Sequence, residues 1–259
     1  MAESTLSIGY PDLTAAVGGF LGYTHDSTKW STAQTSEING YVQSGVRQFY
    51  YPPAVEGVAA GHDWAFLQPT TTLVTTADDA DQDLPDDFGR LLGDFLFEPD
   101  QHVRPIVQVS VGRILAMRQY SDDSGIPEFA AIMHKTSDGT TGQRQQVMFA
   151  PTPDAAYTLT YHYEAFMSVL SAAAPYPLGG MKYAELLTES CLAVAEQRGD
   201  GERSVHWESF VRLLSSALLQ DCKGGARYFG QMGEHSDVPV GPQNLWGANY
   251  PVTYKGATW

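Results

Sequence analysis

The sequence predicts an α+β fold: N- and C-terminal helices form a helical bundle, a mostly antiparallel β-rich insertion lies between them, and an extended C-terminal arm follows. Three observations carry that expectation. Apolar residues recur at helical spacing up to Phe49 and again from Tyr183 to Leu218. The chain between is rich in Thr, Val and aromatic residues and is broken by Gly, Pro and Asp turns. The last stretch has Gly and Pro punctuation and no amphipathic period. The expected division is a bundle from residues 1–60 and 166–225, an insertion over 61–165 and an arm over 226–259. At 259 residues, 43% hydrophobic and 17% charged, the chain can bury most of its apolar surface without crosslinks. Its longest apolar runs fall far short of the roughly 20 residues a membrane span needs. MAESTLSIGYPDL has no basic stretch followed by an apolar one, so no secretory leader and a cytosolic product are expected.

In chain order, Asp12 is expected to cap a helix carrying Leu13, Ala16, Val17, Phe20 and Leu21, with Gly22 placed to end it. Thr35 or Ser36 can cap the next helix. Its stripe is Ile38, Tyr41, Val42, Gly45, Val46 and Phe49, and Pro52-Pro53 stops it. Strands are expected in WAFLQPTTTLVTT (64–76), RPIVQVSV, IPEFAAIM, RQQVMFAP and AYTLTYHYE, with VGRILAMRQ as one or two helical turns among them. In the last strand Tyr157, Leu159, Tyr161 and Tyr163 share one face, while Thr158, Thr160, His162 and Glu164 share the other. Its three tyrosines and histidine therefore cannot converge on one catalytic centre. Pro151 and Pro153 precede it, where a missing N–H costs no ladder bond. Beyond Ala165, Tyr183, Leu186, Leu187, Ser190, Cys191 and Val194 mark one helix face. Val205, Trp207, Phe210, Val211, Leu214, Ala217 and Leu218 mark the next, with Ser204 as cap and Gly224-Gly225 as stop. Arg198-Gly199-Asp200-Gly201 is a tight connection that favours antiparallel packing of the two.

A formal charge of −15 argues against a nucleic acid wrapped on the surface, which would need clustered Lys and Arg. It leaves open an acidic wall past which DNA slides. Cys191 and Cys222 are too few and too far apart for a disulfide framework or CxxC chemistry, and both read as free thiols on buried helix faces. No GxSxG elbow, HExxH, P-loop or helix-opening GxGxxG occurs. No two of the seven histidines stand at i, i+4; His62-Asp63 suits a turn or cap better than a ligand pair. Asp79, Asp81 and Asp83 match the first ligand positions of an EF-hand loop, but Leu84 replaces its glycine and Arg90 its final glutamate, so no calcium loop is expected. Residues 78–100 hold nine acids against Arg90, a local charge of −8. The plain reading is a solvated acidic loop; the sharper one is a surface facing a polyanion that must not stick. The arm carries Tyr228, Phe229, Trp246, Tyr250, Tyr254 and Trp259, unusual for a flexible tail. Such a segment either folds back on its own domain or docks on another subunit or protein.

Several strings, in order, resemble a known family. They are DLTAAVGGFLGY (12–23), Trp30 with INGYVQSGVRQFYYPP (38–53), HDWAFL (62–67), LPDDFGRLLGDFLF (84–97), GIPEFAAI (125–132), FAPTPDAAYTLTYHYEA (149–165) and YAELLTESCLAVAEQR (183–198). Over about residues 8–222 the chain resembles the head-to-tail adaptor (connector) proteins of tailed bacteriophages, the tail-tubular-A-like group of short-tailed phages. The resemblance implies a structural virion protein without reaction or cofactor. It implies a ring of twelve copies beneath the portal protein, extending the DNA channel and giving the tail nozzle or tube protein its attachment site. Genomic DNA would pass without sequence-specific binding. The location implied is the virion neck, after assembly in the host cytoplasm and with no membrane contact. Two site expectations follow: the six arm aromatics dock on the portal or a neighbouring protomer, and Asp78, Asp79, Asp81, Asp83, Asp86 and Asp87 face the channel. The competing classes are a cell-wall (peptidoglycan) hydrolase, marked by carboxylates or a His/carboxylate set in one cleft, and a carbohydrate- or receptor-binding module.

Overall fold

The computed structural model describes residues 6–24, 26–54, 62–99, 103–121, 123–137, 139–140 and 142–225, together with 253–254 and 257–258. The first helix, α1 (Tyr10–Phe20), begins after Gly9, not at Asp12. Asp12 sits in the first turn and reaches back to accept the Gly9 N–H at 2.8 Å. An acidic residue thus still satisfies a free donor, but from inside the helix. Gly22, with φ of 76°, ends the turn as expected. Helix α2 (Thr32–Tyr50) starts four residues before Ser36, because Ser31 and Gln34 cap each other's backbone N–H groups at 3.3 and 2.8 Å. The Ser-x-x-Gln spacing is the legible signal for that start. Of its apolar stripe, Ile38, Val42, Gly45, Val46 and Phe49 are buried as expected, while Tyr41 is only half-buried and donates its hydroxyl to Glu37 at 2.9 Å; α2 ends ahead of Pro52.

The two C-terminal helices are α4 (Ala184–Asp200) and α5 (Val205–Gly225); a third helix, α3 (Val111–Tyr120), lies between α2 and α4 in the insertion. Gly45 of α2 is the point where α4 comes closest: a Cβ there would stand 2.5 Å from Cys191 Cα. Ser190 donates to the Gly45 carbonyl at 2.8 Å across this contact. Cys191 is a buried free thiol whose pKa burial pushes up to about 12, while the side chain of Cys222 lies outside the described residues. One apolar core joins Val17, Ile38, Phe49, Leu187, Phe210 and Leu214, so helices from both halves of the chain close on each other. Trp64 and Leu67 also belong to this core. The strand expected from Trp64 therefore starts only at Thr70: Ala65–Leu67 is a single 3-10 turn, and the Trp64 indole N–H is drawn to the Phe49 carbonyl at 3.1 Å.

The insertion holds β1 (Thr70–Val74), β2 (Asp81–Asp83), β3 (Phe88–Leu91), β4 (Leu96–Phe97), β5 (Val107–Gln108), α3 (Val111–Tyr120), β6 (Ser124–Gly125), β7 (Phe129–His134), β8 (Gln145–Ala150), β9 (Thr152–Pro153) and β10 (Thr158–Ala165). In one sheet β10 pairs with β1 on one side and with β3 and β4 on the other. A second sheet runs β2-β8-β7-β5, and β6 pairs with β9. All pairings are antiparallel except β5–β7 and β6–β9. The β10 alternation is as expected: Leu159, Tyr161, Tyr163 and Ala165 are buried. They meet Phe95, Val147 and Phe149 in a core between the sheets. On β8, Val147 and Phe149 face that core while Met148 and Ala150 face Ile114 of α3, so period two explains why VMFA is apolar throughout. Pro153 sits within β9, where Thr152 and Asp154 supply the donors that flank it. Among the described residues no helix is long and apolar enough to cross a membrane. The backbone divides into two compact units, Met1–Leu218 and Leu219–Trp259, the second holding a small antiparallel hairpin of β11 (Thr253–Tyr254) and β12 (Ala257–Thr258).

Candidate functional site

The acidic segment crosses from the β1–β2 turn to β3, and most of its carboxylates already have partners. Asp81 and Asp83 lie on the exposed side of β2 because buried Gln82 takes the other side. Arg118 of α3 reaches Asp81 Oδ1 at 2.7 Å and also donates to the Ala80 and Phe149 carbonyls. Lys135, after β7, meets both Asp83 oxygens at 2.7 and 2.9 Å, and Arg144, before β8, meets Asp86 at 3.2 Å. Asp87 accepts the Tyr163 hydroxyl at 3.1 Å, which helps hold the tyrosine's pKa above its ordinary value, behind the larger effect of burial. Asp79 accepts the Asp81 N–H at 3.3 Å, and Asp78 occupies a turn with φ of 59°. Three of the six residues are thus tied to cations, and among the described residues Asp78 and Asp79 are exposed and meet no cation. Each exposed pair is worth ~0–1 kcal/mol, so these contacts set register and surface charge more than stability.

Of the arm aromatics, Tyr254 stands in β11 opposite Ala257. Tyr228, Phe229, Trp246, Tyr250 and Trp259 lie outside the described residues. Asp63 binds Arg90 at 2.6 Å, and His62 stacks edge-on against Trp64 at 4.8 Å, so the dipeptide serves the junction between bundle and insertion. Among the described residues no cluster of His, Cys, Asp and Glu could hold a metal ion.

Two features were not legible in the sequence. His206 Nδ1 lies 2.9 Å from Glu189 Oε2, beside buried Glu196, whose Oε2 accepts the Ser204 and His206 N–H groups, each at 3.2 Å. Ser204 occupies the expected cap position, but Glu196 satisfies the free donors of α5. The second feature is a groove of about 570 Å³ lined by Arg47, Gln48, Tyr51, Phe166, Arg203 and Trp207. Neither has a local signal, since each joins residues from separate elements.

Residues 9–232 match the family model of the SU10 adaptor protein. No curated protein matches the chain significantly. The match covers α1, α2, the whole insertion, α4 and α5, and the class it defines is the structural adaptor of a bacteriophage. This chain belongs to the SU10 adaptor protein family.

Proposed function

We propose that the protein is a head-to-tail adaptor of the tail-tubular-A-like kind, twelve copies of which form a ring beneath the portal. The ring extends the channel through which DNA is packaged and ejected, and the tail nozzle or tube protein attaches below it. The family match over 9–232 carries this reading. The protein acts in the virion neck after assembling in the host cytoplasm, and the role asks for no reaction or cofactor. Residues 1–60 and 166–225 serve as one body, 61–165 as a second and 226–259 as a docking arm for the portal or a neighbouring protomer. The acidic segment faces the channel, where each phosphate contact avoided also forgoes a counterion-release gain. With Asp81, Asp83 and Asp86 already paired, Asp78 and Asp79 carry most of that repulsion.

Cryo-electron microscopy of the chain bound to its purified portal tests the reading. A twelve-fold ring coaxial with the portal, with residues 78–87 on its inner wall, is the expected result. A chain that ignores the portal, or cleaves peptidoglycan as a monomer, would overturn it.

A further inference from the structure

The groove between the end of α2, the chain after β10 and the start of α5 gathers two arginines and a glutamine amide that, among the described residues, meet no carboxylate. Arg47 and Arg203 share that trait with Arg104, Arg113, Lys182, Arg198 and Arg212; what sets these two apart is that they line one groove. The Gln48 Nε2, shut off from water, has no hydrogen-bond partner among the described residues. The Arg203 guanidinium carbon stands over Trp207, 4.0 Å from the ring centroid. Tyr51 and Phe166 form apolar walls that are nearly half exposed. An occupant with carboxylates set around an apolar side chain would match both the donors and the walls.

The chain itself carries such a segment. Asp94 and Glu98 are exposed and meet no cation among the described residues, and they flank Leu96, which is 49% exposed. This segment cannot serve its own groove. Leu96 pairs with Thr160 of β10, while the groove begins at Phe166 beyond the other end of that strand, roughly 20 Å away at about 3.4 Å per residue. Two complementary surfaces that cannot meet within one chain make a head-to-tail contact between copies, the kind that closes into rings.

We propose that the groove of Arg47, Gln48, Arg203 and Trp207 receives the Asp94–Glu98 segment of the neighbouring copy; this rests on the ring reading above. The test uses the full chain with purified portal, assembly being followed by native mass spectrometry and each variant's fold by its thermal melt. The R47E/R203E and D94R/E98R chains are each expected to need at least ten-fold more protein to assemble. The chain carrying all four changes is expected to regain assembly, since the reversed charges again match. Wild-type rings with unaffected variants, or no recovery in the four-fold chain, would overturn this contact alone. So would loss of portal binding confined to R47E/R203E, which would assign the groove to the portal. A wild-type chain that never self-associates overturns the ring and this contact with it.

Discussion

Tyr161 places its hydroxyl in the core between the sheets, where the oxygen is shut off from water and has no hydrogen-bond partner among the described residues. The ring is needed there, packing on Phe95 and Tyr163, but the hydroxyl is an uncompensated cost. Tyr161→Phe should leave stability unchanged or raise it by up to ~1 kcal/mol in urea unfolding; a clear loss would show that the hydroxyl is satisfied in solution. Burial also raises the pKa of Tyr161 and Tyr50 and pushes the Cys191 thiol up to about 12. The folded state keeps these groups neutral at a pH where the unfolded chain ionises them, from 9.0 for the thiol and 10.0 for tyrosine. Their contribution is therefore fully present below those values and is lost as pH rises toward the folded ones. Urea midpoints measured from about pH 8 to about pH 11 should fall on the alkaline side, and more shallowly in Tyr161→Phe. A flat profile would contradict the assignment.

At the scale of elements, the α4–α5 hairpin depends on a carboxylate from the wrong helix. Glu196 is 6% exposed and takes the N–H groups of Ser204 and His206, so α5 is capped by its predecessor while Gly201, with φ of 77°, supplies the left-handed turn between them. Glu196→Ala should cost ~2 kcal/mol by leaving those donors unmet at a half-buried helix start. Denaturant unfolding of this variant beside Ser204→Ala checks the point: if Glu196 does the capping, the serine change costs much less. Val205, placed on the apolar stripe by its spacing, is 67% exposed, because the stripe effectively starts at Trp207 and Phe210.

For the whole molecule, the backbone divides after Leu218, within α5, and the docking role proposed for the arm beyond residue 225 can be tested apart from the stability of the rest. Deleting residues 226–259 should leave the melting of the remaining chain essentially unchanged and abolish portal binding; retained affinity and ring formation would sink the arm's role. What the sequence by itself determined were the elements with a strong local period. The stripe of α2, the faces of α4 and the alternation of β10 follow from helical and strand geometry alone, as does the order helix, helix, strands, helix, helix. Tertiary structure alone decided the rest. Arg118, Lys135 and Arg144 reach the acidic segment only because β7, β8 and α3 stack beside β2, so a run that reads as bare negative charge is half neutralised. Trp64 looks like a strand residue until the bundle core claims it. The groove lined by Arg47, Gln48, Arg203 and Trp207 is assembled from α2, the chain after β10 and α5. Periodicity is a property of neighbours in the chain, whereas ion pairs, shared cores and grooves depend on which distant segments are brought together, and no local pattern records that.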